Sequence, residues 1–259
     1  MPQKLSIKNQ SVEKIFVIIE TMAHSTVPMR LQDIAKAAAI PASTALRFIN
    51  TLYSLGYIHQ DPLTHRYSLT LKFAEIGDQI ASQISIRDIA RPFLIELSKR
   101  SEETCCLGEE HDMEVVYLDV VENPENSLRY IKRPGVRAPM HCTGIGKLLL
   151  LNKDSAELDA FIKTKKLEIH TAKTITSYSS LLEELSVVRR QGYAIDDEEH
   201  TVGVKCIAAP VKDYSGKILF AISISGPSSR LTPDRIEASI PYAIDAANQI
   251  SRALGTTEL

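Results

Sequence analysis

The stretch from Leu31 to Tyr67 constrains this chain most, because two short amphipathic helices and a basic hairpin follow one another there with almost no linker. Leu31, Ile34, Ala35 and Ala38 fall on one helical face. Ala39-Ile40-Pro41 then interrupts the helix, since proline has no N–H and disfavours helix in the residue before it. A second helix restarts at once, with Ala45, Phe48, Ile49 and Leu52 at the spacing of a buried stripe. Its opposite face carries Ser43, Leu46, Arg47 and Asn50. Donors, acceptors and a methyl-contacting side chain on one helix are what the major groove of DNA requires. Leu55-Gly56 closes the helix, glycine supplying the left-handed conformation of a C-cap. The runs 57–60 and 65–69 flank Asp61-Pro62-Leu63-Thr64, so they read as a hairpin wing with His65 and Arg66 placed along the phosphate backbone.

Charge supports this reading once it is divided. Residues 1–72 hold eight Lys/Arg against four Asp/Glu, a net of +4, which leaves −6 for the rest of a chain whose total is −2. A basic head on an acidic body attracts phosphates locally without a basic protein overall. The 259 residues, 44% hydrophobic and 24% charged, have the composition of a globular protein with room for two domains. No apolar run approaches the roughly 20 residues of a membrane helix, and Met1-Pro2-Gln3-Lys4 lacks a signal-peptide pattern. The four cysteines form no C-x-x-C pair, which fits a reducing cytoplasm.

The periodicity predicts a first helix from Ser11 to about Met22 with Val12, Ile15, Phe16 and Ile19 inward. After the wing, Phe73, Ile76, Ile80 and Ile84 mark a linker helix whose apolar face is suited to packing across a dimer. The expected division is 8–70 for the winged helix–turn–helix domain, 71–85 for the linker helix and 86–256 for a second domain. That domain opens with a helix over Ile86–Lys99. Strands follow at Glu103–Leu107, Glu114–Val121, Leu128–Lys132, Tyr193–Asp196, Lys205–Val211 and Lys217–Ser225. Helices are predicted at Thr143–Leu151, Ser155–Thr164, Ser180–Gln191 and Thr232–Ala253. With a tight turn at Asp213-Tyr214-Ser215-Gly216, this mixture indicates an α+β domain with an antiparallel sheet.

Several segments resemble the IclR family of bacterial transcriptional regulators over essentially the whole chain. Ile40-Pro41-Ala42-Ser43-Thr44-Ala45-Leu46-Arg47-Phe48 is similar to the family's recognition helix, and Leu55-Gly56-Tyr57-Ile58 and Tyr67-Ser68-Leu69 continue the match. Further on, Pro139 to Lys147, Gly192 to Glu199, Gly203 to Pro210 and Ala221 to Pro227 follow in the family's order. The resemblance implies a GAF-like effector-binding second domain, homodimers or dimers of dimers, and double-stranded operator DNA as partner. On the DNA side it implies roles for Ser43, Thr44, Leu46, Arg47, Asn50 and Arg66. It also implies an effector pocket built from Gly144, Ile145, Asp196, Cys206, Ser223 and Ser225. A helix start at Gly144-Ile145 suits a carboxylate, and two serines two apart on a strand face one side. The expected effector is a small organic acid, a hydroxy or keto acid, and the expected output is repression of catabolic genes.

Other chemistries find less support. Gly144-Ile145-Gly146-Lys147 is no phosphate loop, because His141 and Leu148 stand where that pattern needs glycine and Ser/Thr. Neither a nucleophile–base pair nor a dinucleotide fingerprint indicates an enzyme. His141, Cys142, His200 and Cys206 invite a zinc reading, but adjacent His141 and Cys142 would diverge on a strand, so neither a metal nor another cofactor is expected.

Overall fold

The structure, a computed structural model, describes residues 9–123 and 133–256. The strand expected over Leu128–Lys132 lies outside the described residues. The chain forms two compact units that divide between Ile84 and Ser85.

In the first unit, α1 (Gln10–Ala23) leads into α2 (Leu31–Ala37) and α3 (Ala42–Ser54). The Asn9 side chain accepts the N–H groups of Ser11 and Val12, so α1 begins ahead of the expected Ser11. Ala39 adopts a left-handed φ of 53° between α2 and α3, and the Ile40 N–H closes on the Ala35 carbonyl at 2.9 Å. Ile34, Ala35 and Ala38 from α2 and the adjoining turn meet Ala45, Phe48, Ile49 and Leu52 of α3 in one core. The hairpin β1 (Ile58–Gln60) and β2 (Tyr67–Leu69) closes that core with Ile58 and Tyr67. Helix α4 (Lys72–Gln83) follows, anchored where the Phe73 ring packs at a tilt against Tyr57 and Lys72 Nζ donates to the Leu55 carbonyl.

The α1 face differs from expectation. Ile18 and Met22 enter the core and Ile15 and Ile19 flank it, whereas Val12 and Phe16 are exposed. The apolar residues of α1 wrap around more than one face, and periodicity alone does not say which face meets this unit.

The second unit is a six-stranded antiparallel sheet in the order β5-β4-β3-β8-β7-β6. Its strands are β3 (Thr104–His111), β4 (Glu114–Val121), β5 (Arg137–Pro139), β6 (Ala194–Asp197), β7 (Val204–Lys212) and β8 (Ile218–Pro227). Asp213 Oδ1 accepts the N–H groups of Ser215 and Lys217, forming the turn that joins β7 to β8. One face carries Cys105, Leu107, Ile207, Ala209, Ile222 and Ile224, packed against α5 (Ile86–Ser101) and α9 (Pro233–Ala253). The other face carries Cys106, Ala208 and Ala221, covered by α6 (Gly144–Leu150), α7 (Ser155–Lys165) and α8 (Tyr178–Gln191). The period-two alternation of strands thus builds two separate apolar layers.

Helix α6 lies unusually close to its neighbours. A Cβ on Gly146 would stand 2.3 Å from both Cα and O of Met140, and one on Gly144 would stand 2.9 Å from the Ala208 Cβ. Backbone cannot yield as a side chain can. Gly146→Ala is expected to lower stability by roughly 1–3 kcal/mol or more, measured by denaturant unfolding. Gly77→Ala, where the added carbon meets nothing within 4 Å, is expected to show no such loss.

Candidate functional site

On α3 the two faces separate as a recognition helix requires. Ala45, Phe48, Ile49 and Leu52 are buried, while Ser43, Leu46, Arg47 and Asn50 are exposed and Thr44 is half-buried. The Arg47 guanidinium lies 5.2 Å from the centre of the Phe48 ring. Arg66 is half-buried, and its Nη1 donates to the Pro28 carbonyl at 3.0 Å. This guanidinium therefore ties the wing to the segment before α2. At the wing tip the Asp61 carboxyl is held below its ordinary pKa, chiefly by the Thr64 and Leu63 N–H groups.

The second cluster lies on the α6 side of the sheet. Asp196 on β6 pairs with Cys206 on β7, and Cys206 pairs with Ser225 on β8. Ser223, one step along the same face, pairs with Ala208 and Cys106. Directly opposed residues share a face, so these polar side chains form one patch. The two serine hydroxyls lie 3.4 Å apart, and Gly144 rests on Ala208 above them. As the first two residues of α6, Gly144 and Ile145 have N–H groups without partners inside the helix.

All six predicted pocket residues are buried. Ile145 directs its side chain into the core against Gly108. Asp196 Oδ1 already accepts the N–H groups of Glu199 at 2.8 Å and His200 at 3.4 Å. These residues do not line the cavity of about 340 Å³ formed by Met113, Arg137, Met140, His141, Phe161 and His170, among others.

Two features escaped the sequence reading. Lys147, completely buried in the otherwise apolar α6, donates to Glu199 Oε1 at 2.6 Å, Glu184 Oε1 at 2.7 Å and the Ile195 carbonyl at 2.8 Å. A lysine within Gly-Ile-Gly-Lys-Leu-Leu-Leu needs buried partners, and that need was the available signal. Burial pushes the Glu199 carboxyl up to about 7, against the opposing pull of Lys147. The second feature is the position of His141 and Cys142. They lie in the turn between β5 and α6, not on a strand, so their side chains are not forced apart. Burial holds the His141 imidazole below its ordinary pKa and pushes the Cys142 thiol up to about 12.

No helix among the described residues is long and apolar enough to cross a membrane. Residues 78–252 match the family described as "Bacterial transcriptional regulator IclR C-terminal", and residues 11–62 match the "IclR helix-turn-helix domain". The chain is 34% identical over 246 residues to the HTH-type transcriptional regulator XynR of Escherichia coli, covering 95% of this chain and 97% of that protein. It is 32% identical over 246 residues to the HTH-type transcriptional repressor AllR of the same species, covering 95% and 90%. The crystal structure of the Thermotoga maritima IclR is similar at 31% identity and a TM-score of 0.63, covering 95% of this chain and 98% of that one. XynR and AllR are transcriptional regulators of the helix–turn–helix type, in line with the helix–turn–helix of the first unit. The chain belongs to the IclR family of DNA-binding bacterial transcriptional regulators.

Proposed function

We propose that this regulator is a ligand-responsive repressor of catabolic genes, and that a small organic acid bound in its second unit alters its grip on operator DNA. The observation that carries the proposal is the buried polar patch of Asp196, Cys206, Ser223 and Ser225 beneath α6, bordered by the apolar side chains of that layer. Clustered hydroxyls beside the free N–H groups of Gly144 and Ile145 suit a carboxylate bearing a neighbouring hydroxyl or keto oxygen. The relative AllR is a transcriptional repressor, which supports the sign of regulation.

The protein would act in the cytoplasm as a homodimer or a dimer of dimers. Val12 and Phe16 on α1 and Ile76 and Ile80 on α4, followed by Ile84, leave apolar surface exposed on the first unit, which a second copy would cover. Two recognition helices related by a twofold axis then meet successive turns of a palindromic operator. The chain passes from the winged domain, taken as 8–70, through a linker helix at 71–85 into an effector domain at 86–256. A ligand-induced change in the second unit can thereby reach the spacing of the two α3 helices.

Two measurements test this reading. Arg47→Ala should weaken binding to a selected operator by about 1–3 kcal/mol and relax preference at one base position. Unchanged specificity would remove α3 as the reading helix. Thermal-shift titration with hydroxy and keto acids should find one that stabilises the full chain, by about 2.7 kcal/mol at a hundredfold excess over its Kd. Ser223→Ala combined with Ser225→Ala should abolish that shift; a shift that survives both changes would place the acid elsewhere.

A further inference from the structure

We propose that His141, Cys142 and His170 form a binding site for one zinc-class divalent cation. One donor atom from each of the three side chains lies within 4.8 Å of the other two. Bond lengths of about 2.0–2.1 Å to nitrogen and 2.3 Å to sulfur imply donor separations of roughly 3.3–3.7 Å around a tetrahedral ion. The contraction is within reach of a side-chain rotation, and His170, the exposed member of the three, is free to make it.

The surroundings are those of a prepared ligand set. A backbone carbonyl can only accept, so the contact of 3.1 Å between His141 Nε2 and the Glu168 carbonyl puts the proton on Nε2 and leaves the lone pair on Nδ1. A metal-bound histidine commonly has its other nitrogen held in this way. His170 is also fixed from behind. Thr174 Oγ1 accepts the backbone N–H of His170 at 3.0 Å and donates to the Glu199 carbonyl at 2.7 Å. Thr171 Oγ1 donates to the Glu198 carbonyl at 2.7 Å, tying this segment to the 198–200 turn. The His170 ring lies 5.3 Å from that of His200 and 6.1 Å from that of His141.

Charge favours a cation as well. The carboxylates of Asp196 and Glu199 oppose a negative charge on Cys142, and the Lys147 ammonium favours it. Glu199 Oε2 is buried with no hydrogen-bond partner among the described residues. Two imidazoles and one thiolate, the Cys142 proton passing to solvent as the metal binds, select zinc, cobalt, nickel or copper over calcium or magnesium. Three protein ligands leave a fourth position for water, which the cavity of about 340 Å³ lined by His141 and His170 admits.

Cobalt(II) titration of the reduced, chelator-stripped full chain tests the site, because four-coordinate Co(II) reports its ligands by absorption. The expected result is saturation at one equivalent, with a thiolate-to-metal charge-transfer band and intense d–d bands that zinc bleaches. Cys142→Ser should abolish the charge-transfer band. His170→Ala, at an exposed position that leaves folding intact, should weaken binding about tenfold or more. His59→Ala on the wing should change neither. A wild-type titration without the charge-transfer band, a band that survives Cys142→Ser, or unchanged affinity in His170→Ala would overturn the assignment.

Discussion

The second unit depends on how closely α6 can approach the sheet. Gly146 sits against the Met140 backbone and Gly144 against Ala208, at distances where an added Cβ would collide. Such an approach brings a charged side chain into the apolar layer, since Lys147 follows directly on the same helix. Its ammonium is accommodated because Glu184, Glu199 and the Ile195 carbonyl each take one of its three protons. Unpaired, that charge would cost several kcal/mol, so the trio fixes where α8 and the β6 turn sit relative to α6. The polar patch on β6, β7 and β8 therefore faces a helix start whose position is set from two sides. A ligand entering there would press on packed backbone and a buried ion pair rather than on a flexible loop.

The first unit was legible wherever one face of an element was buried. The stripe Ala45, Phe48, Ile49 and Leu52 on α3 is buried as its spacing requires, and in the second unit the Asp213–Gly216 turn joins β7 to β8 as its residues require. The same logic fails on α1, where Val12 and Phe16 stay exposed on this chain. A helix that serves two surfaces spreads its apolar residues around its circumference, and periodicity cannot divide them.

At the second site, the family resemblance named residues that the sheet register aligns, but the sequence could not assign their partners. Asp196, Cys206 and Ser225 become neighbours only through the pairing of β6, β7 and β8. Asp196 proves to be committed in part to the Glu199 and His200 amides, and Lys147 finds Glu199 across 52 positions of sequence. Long-range pairing of this kind leaves no local signal. The convergence of His141 and Cys142 was missed for a local reason, because a turn was read as strand.

The proposed DNA-reading helix of the first unit and the proposed ligand site of the second form a switch only if each influences the other. The direct test is to measure operator affinity with and without a saturating organic acid, and acid affinity with and without operator, on the full-length protein. The account predicts that both affinities change by the same factor, about 5–150-fold, the usual range of coupling between two sites. Operator affinity that stays constant while the acid is bound would contradict it.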